Sequence, residues 1–219
     1  MNRSTFRIVL VVIILFCLII ARSRVRGSSP HPLDAGPDDA KNAVTYFIAE
    51  GNAQTGYRSS DRELAKWALE AWQRGAGKGL QIKATTESIA LIRLYWAGPD
   101  SGEYGETRPL IVGGRRGAAV FIRPDMDSLG PDIAGRASVD ALLRESIVYL
   151  TCLHEFGHAL GLEHTRDFRD IMYYFGYGGD VVQYFGRYRA QIHSRSDIAM
   201  VSGLSDADAS RIRELYPPQ

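Results

Sequence analysis

The stretch His154-Glu155-Phe156-Gly157-His158-Ala159-Leu160-Gly161-Leu162-Glu163-His164 decides how this 219-residue chain is read. His154 and His158 stand four residues apart, so on a helix they share one face and both imidazoles reach one ion. Gly161 follows where the helix must stop. Only glycine enters a left-handed cap without a Cβ penalty, and the turn then carries His164 back toward the other two histidines. Three histidines leave the fourth position of a tetrahedral zinc open for water, the arrangement of a catalytic rather than a structural ion. Glu155 points away from the ligand pair, yet its carboxylate can reach that water, take its proton and hand it to a leaving amine. Peptide hydrolysis is the natural chemistry of such a set. The chain holds only five histidines, and scattering them at random gives this pattern on the order of once in 10⁵ such chains. A buried helix with incidental histidines is set aside on that ground.

The eleven residues resemble the signature of the metzincin metallopeptidases, and their wording is nearest to the matrixin branch. That resemblance implies a methionine turn beneath the zinc. Asp170-Ile171-Met172-Tyr173 places Met172 eight residues after His164, the interval matrixins use. Met172 is then a polarizable apolar floor under the imidazoles, packing rather than ligating. Tyr174 stands two residues past Met172, where astacins and serralysins supply a tyrosine to the zinc or the oxyanion; packing in the wall of the substrate pocket is the other reading. Matrixins continue from the methionine with a proline and a later tyrosine. Here Tyr174-Phe175-Gly176-Tyr177 stands instead, so the pocket does not carry over. The second, structural zinc of many animal matrixins has no matching ligands, since His31 and His193 are the only histidines outside the motif. For calcium, Asp100, Glu103 and Glu106, or Asp125, Asp127 and Asp132, lie in Gly/Pro-rich loops where oxygen ligands could gather, and solvated loop charge is the more frequent explanation of such residues.

Working outward, Val44–Ile48 is β-branched and aromatic, as a first strand should be. Ser60-Asp61-Arg62-Glu63 reads as a capping box opening a helix through about Arg74. Leu80–Thr85, Ile89–Trp96 and Ala118–Arg123 are strand candidates, with Leu110–Val112 as a short edge strand. A helix runs from about Val139 to Leu160 and carries the first two histidines. Ser205 caps a last helix over Asp206–Leu215. The order is similar to that of a matrixin catalytic domain, which implies an α+β fold: a twisted five-stranded mixed sheet with one antiparallel edge strand, a long zinc-binding helix and a C-terminal helix. Between Met172 and Ser205 the chain is longer than a typical matrixin, and the stretch 180–200 interleaves basic and aromatic residues, as a helix or lid over the groove or a surface elaboration would.

Composition agrees with one such domain over 43–219. The net charge is +1, so nothing points to nucleic acid as a partner. At the N-terminus an apolar run from Ile8 to Ala21, flanked by Arg3, Arg7, Arg22, Arg24 and Arg26, is a translocation signal. Residues 1–23 are read as a signal anchor, with a cleaved signal peptide as the alternative, and 24–42 as a flexible tether. On that reading the protein is single-pass, held in the membrane through residues 6–21 with its catalytic domain outside the cytoplasm, or else secreted. The two cysteines, Cys17 and Cys152, cannot form a disulfide within the domain, and no propeptide cysteine motif precedes the first strand.

The function expected is therefore that of a monomeric zinc endopeptidase. One catalytic Zn²⁺ is held by His154, His158 and His164, Glu155 acts as general base, and extended protein or peptide substrates are cut. The rival is a non-catalytic, zinc-stabilised binding domain at the cell surface. Glu155 speaks against it, because a structural metal needs no base beside an open coordination position.

Overall fold

The computed structural model describes residues 43–101 and 103–218. Five strands form one sheet: β1 (Ala43–Ile48), β2 (Gln81–Ala84), β3 (Ile92–Trp96), β4 (Gly105–Val112) and β5 (Arg115–Ile122), in the order β2-β1-β3-β5-β4. The first three neighbours pair in parallel and β4 runs antiparallel along β5. Strand β3 shows why the parallel part is central: Ile92, Leu94 and Trp96 alternate inward and are buried. The β4–β5 hairpin closes through Gly113 and Gly114, both at positive φ (56° and 80°), a turn that side chains bearing a Cβ resist.

Six helices accompany the sheet among the described residues: α1 (Asp61–Ala76), α2 (Pro131–Val139), α3 (Ala141–Ala159), α4 (Val181–Arg189), α5 (Arg195–Met200) and α6 (Asp206–Leu215). Helices α1 and α3 pack on each other, with Trp72 fully buried between them and its indole Nε1 donating to the Leu153 carbonyl at 2.8 Å. The same interface holds the ion pair of Asp61 with Arg144, both essentially without solvent. An unpartnered charge there would cost on the order of 3–5 kcal/mol. This is the α+β arrangement with one antiparallel edge strand that the sequence implied.

Several details depart from expectation. The Ser60 capping box does not form. Asp61 instead accepts from Arg58 N and pairs with Arg144, while Glu63 pairs with Arg195. The long helix begins after a break at Asp140, whose backbone is extended and whose Oδ1 caps α3 by accepting from Leu143 N at 3.0 Å. The edge strand starts five residues earlier than expected, at Gly105. The stretch 180–200 is helical. It folds as α4 and α5, and Tyr184, Phe185 and Tyr188 of α4 enter the core against α3 and the loop below the histidines.

The expected location requires a correction. Among the described residues no helix is long and apolar enough to cross a membrane. The longest, α3, carries Arg144, Glu145, Glu155 and two histidines. The apolar run over residues 6–21, on which the anchored placement and its secreted alternative both rested, lies outside the described residues.

Candidate active site

Helix α3 sets the first part of the site. His154 and His158 lie on one face, and the helix ends at Leu160, where Gly161 adopts φ 102° and Leu162 N returns to the Gly157 carbonyl at 2.9 Å. This six-to-one bond is the closure a left-handed helix cap makes, and it turns the chain so that His164 faces back. His164 Nε2 then lies 3.3 Å from His154 Nε2 and 3.1 Å from His158 Nε2. One ring nitrogen from each of the three falls within 4.8 Å of the others, and together they form the one group of three or more side chains able to hold a metal ion found among the described residues.

Each helical imidazole is oriented from behind. His154 Nδ1 lies 2.7 Å from the Ile171 carbonyl and His158 Nδ1 lies 2.9 Å from the Leu162 carbonyl. A carbonyl only accepts, so both Nδ1 atoms carry the hydrogen and both Nε2 atoms present bare lone pairs. Burial, and for His158 the neighbouring imidazole of His154, favour the neutral rings: His154 is lowered and His158 is pushed down to about 4. For His164 the surrounding wall and the two other imidazoles act the same way, down to about 3. Nitrogens about 2.0–2.1 Å from a tetrahedral zinc sit roughly 3.3 Å apart, the spacing His164 Nε2 keeps to each of the other two.

The carbonyl behind His154 is itself held. Ile171 N donates to Asp208 Oδ2 at 2.8 Å, and the Tyr184 hydroxyl lies 3.2 Å from both the Ile171 and the Asp170 carbonyl. Buried Asp208 and Asp170 form one network with the partly exposed Ser205 and Arg211 at the start of α6. Met172 follows Ile171, has no exposure, and packs its sulfur toward the bare Cα of Gly157, between the two helical histidines.

Glu155 is buried against the edge strand. Its Oε2 accepts from the Thr107 hydroxyl at 2.7 Å, and that hydroxyl also lies 3.0 Å from the Glu155 carbonyl. A Cβ at Gly105 would stand 2.7 Å from Glu155 Oε1, so glycine is needed for the carboxylate to fit. Burial raises the Glu155 pKa, while His158 and the Thr107 hydrogen bond oppose the rise. Tyr174 lays its ring against His164, with centroids 4.8 Å apart and planes 33° apart, and its far edge covers Gly176.

Sequence reasoning did not find Thr107, Gly105 or Tyr184. Thr107 and Glu155 are 48 residues apart, and no local pattern links them. Tyr184 carried a signal of a kind, an aromatic in an insertion, but nothing tied it to Ile171. The acidic loop residues do not gather: Glu106 pairs with Arg108 and Asp125 with Arg123.

Comparison with known proteins adds the family. The family described as Matrixin matches residues 39–183, which hold all three histidines, Glu155, Met172 and Tyr174. No curated protein matches the chain at a meaningful level of similarity. A match over that span, on a mixed five-stranded sheet whose edge strand flanks the three converging imidazoles, shows that this chain belongs to the matrixin family of zinc-dependent metallopeptidases.

Proposed function

We propose that residues 43–219 are the catalytic domain of an endopeptidase in which His154, His158 and His164 hold one zinc ion and Glu155 is the general base. The observation that carries this reading is the pair of Nδ1–H bonds to Ile171 and Leu162, which aim the Nε2 lone pairs of His154 and His158 at the same point as His164. When bound, zinc supplies Lewis-acid polarisation of the scissile carbonyl and lowers the pKa of water. Glu155 takes the proton of the attacking water and passes it to the leaving nitrogen. The Thr107 hydroxyl holds one carboxylate oxygen of Glu155, so the base keeps its orientation between the two transfers. Tyr174, lying on His164, would donate a hydrogen bond to the oxyanion, a charge that exists only in the transition state.

The substrate would lie extended along β4, the open edge of the sheet, adding a strand through backbone hydrogen bonds. The rival reading, a metal-stabilised binding domain, gives no reason to bury a carboxylate beside the histidines and supply it with a hydroxyl. The test is cleavage of a peptide library by the full chain, with and without a chelator and with zinc added back. Cleavage that stops with chelator and returns with zinc is expected. A protein that holds zinc at one per chain and cuts nothing would leave the binding-domain reading standing.

A further inference from the structure

The outer edge of β4 carries a break in its row of donors. Ala118 N donates to the Leu91 carbonyl and Ala97 N to the Ile122 carbonyl, so even-numbered residues of β5 direct their backbone groups to β3. Arg123 N donates to the Tyr104 carbonyl, so the odd-numbered ones face β4. The register Glu106↔Phe121, Arg108↔Ala119 and Leu110↔Gly117 then assigns the inward bonds of β4 to its even-numbered residues. Gly105, Thr107, Pro109 and Ile111 turn their backbone groups to the open edge. Gly105 and Thr107 are also the residues that touch the Glu155 carboxylate. A peptide laid along this edge meets an N–H and a carbonyl at each of these two positions. At exposed Pro109 it meets a carbonyl and no N–H, and the proline ring occupies the space where a partner carbonyl would approach.

We propose that Pro109 is a specificity-determining residue that ends the substrate ladder two residues from Thr107, so that this peptidase gains nothing from substrate residues passing beyond that point. The inference rests on the reading of β4 as the substrate edge. Its consequence is a preference for cuts defined close to the scissile bond and on the other side of it. Edge prolines also guard sheets against pairing with a second copy, and the test must separate these two roles.

The experiment compares the full-length zinc-loaded protein with Pro109→Ala on two series of peptides, one lengthened stepwise at the N-terminal end and one at the C-terminal end. Wild type is expected to level off within about twofold in kcat/KM once one of the series passes position 109. Pro109→Ala restores an outward N–H and should gain about fivefold on the longer members of that series alone, the size of one added hydrogen bond. Replacing by an ester the amide whose carbonyl faces residue 109 weakens that acceptor. It should remove the gain in the variant and change nothing in the wild type. Equal kcat/KM for both proteins across both series overturns the proposal, as does a gain that is the same for the shortest and longest peptides. A variant that dimerises by sedimentation yet shows no length-dependent gain assigns Pro109 to edge protection and also overturns it. If the wild type cuts no peptide at all, the failure lies with the peptidase reading rather than with Pro109.

Discussion

Gly157 lies between the two helical histidines, and replacing it with alanine measures how tightly the methionine floor is built. The added Cβ would stand 2.3 Å from Met172 Sδ, 3.2 Å from Met172 Cε and 2.9 Å from Trp72 Cζ2. Trp72 cannot yield, being fully buried and bonded to the Leu153 carbonyl. Met172 must move, and it has no exposure to move into. Overpacking of this kind costs about 1–3 kcal/mol, set against a helix-propensity gain of up to about 1 kcal/mol for alanine over glycine. Gly186 in α4 supplies the control, because a Cβ there meets nothing within 4 Å. Gly186→Ala shares the propensity gain without the clash, so the gap between the two variants isolates the overpacking at about 1–3 kcal/mol. The assay is urea unfolding in excess chelator, which removes the contribution of metal binding to stability. Zinc affinity of Gly157→Ala should also fall, since a displaced Met172 shifts the Ile171 carbonyl that orients His154. Equal stabilities for the two variants would refute a rigid floor at Met172.

Thr107→Val should lower turnover about tenfold with the Michaelis constant nearly unchanged, and Thr107→Ser should restore it, because only the hydroxyl holds Glu155; steady-state kinetics on one peptide decides. Tyr184→Phe keeps the ring packing and removes the hydroxyl beside the Ile171 carbonyl, so zinc affinity measured by chelator competition should weaken by roughly 2–10-fold with the fold intact. Tyr174→Phe should reduce turnover about 10–100-fold, a loss of about 1.4–2.7 kcal/mol, with little change in substrate binding; unchanged turnover would return Tyr174 to wall packing.

The parts of the molecule that were legible in the sequence are those whose chemistry is written locally. The histidines declare themselves because metal geometry demands a spacing of four on a helix and a glycine stop before the third ligand. Ser205 reads correctly as a cap, since its hydroxyl accepts from Asp208 N three residues on. Ser60 reads the same way and is not a cap, because Asp61 is drawn to Arg144, 83 residues distant. The first half of β4 was hidden for a related reason: Gly105-Glu106-Thr107-Arg108-Pro109 has no apolar alternation, and its strand conformation comes from pairing with β5. Asp140 looked like the interior of a helix, but its carboxylate caps α3 and pairs with Arg189. Tyr184, Phe185 and Tyr188 in the stretch 180–200 enter the core against α3, an outcome that depends on partners no local pattern names.

The central claim is that three histidines hold the metal while a separate carboxylate moves the proton. Measuring zinc content and peptide turnover together on Glu155→Gln tests it most directly. The account predicts zinc at near one per chain and turnover below roughly a hundredth of wild type, given the usual size of acid–base contributions. A zinc-loaded Glu155→Gln that turns over peptide at close to the wild-type rate would contradict it.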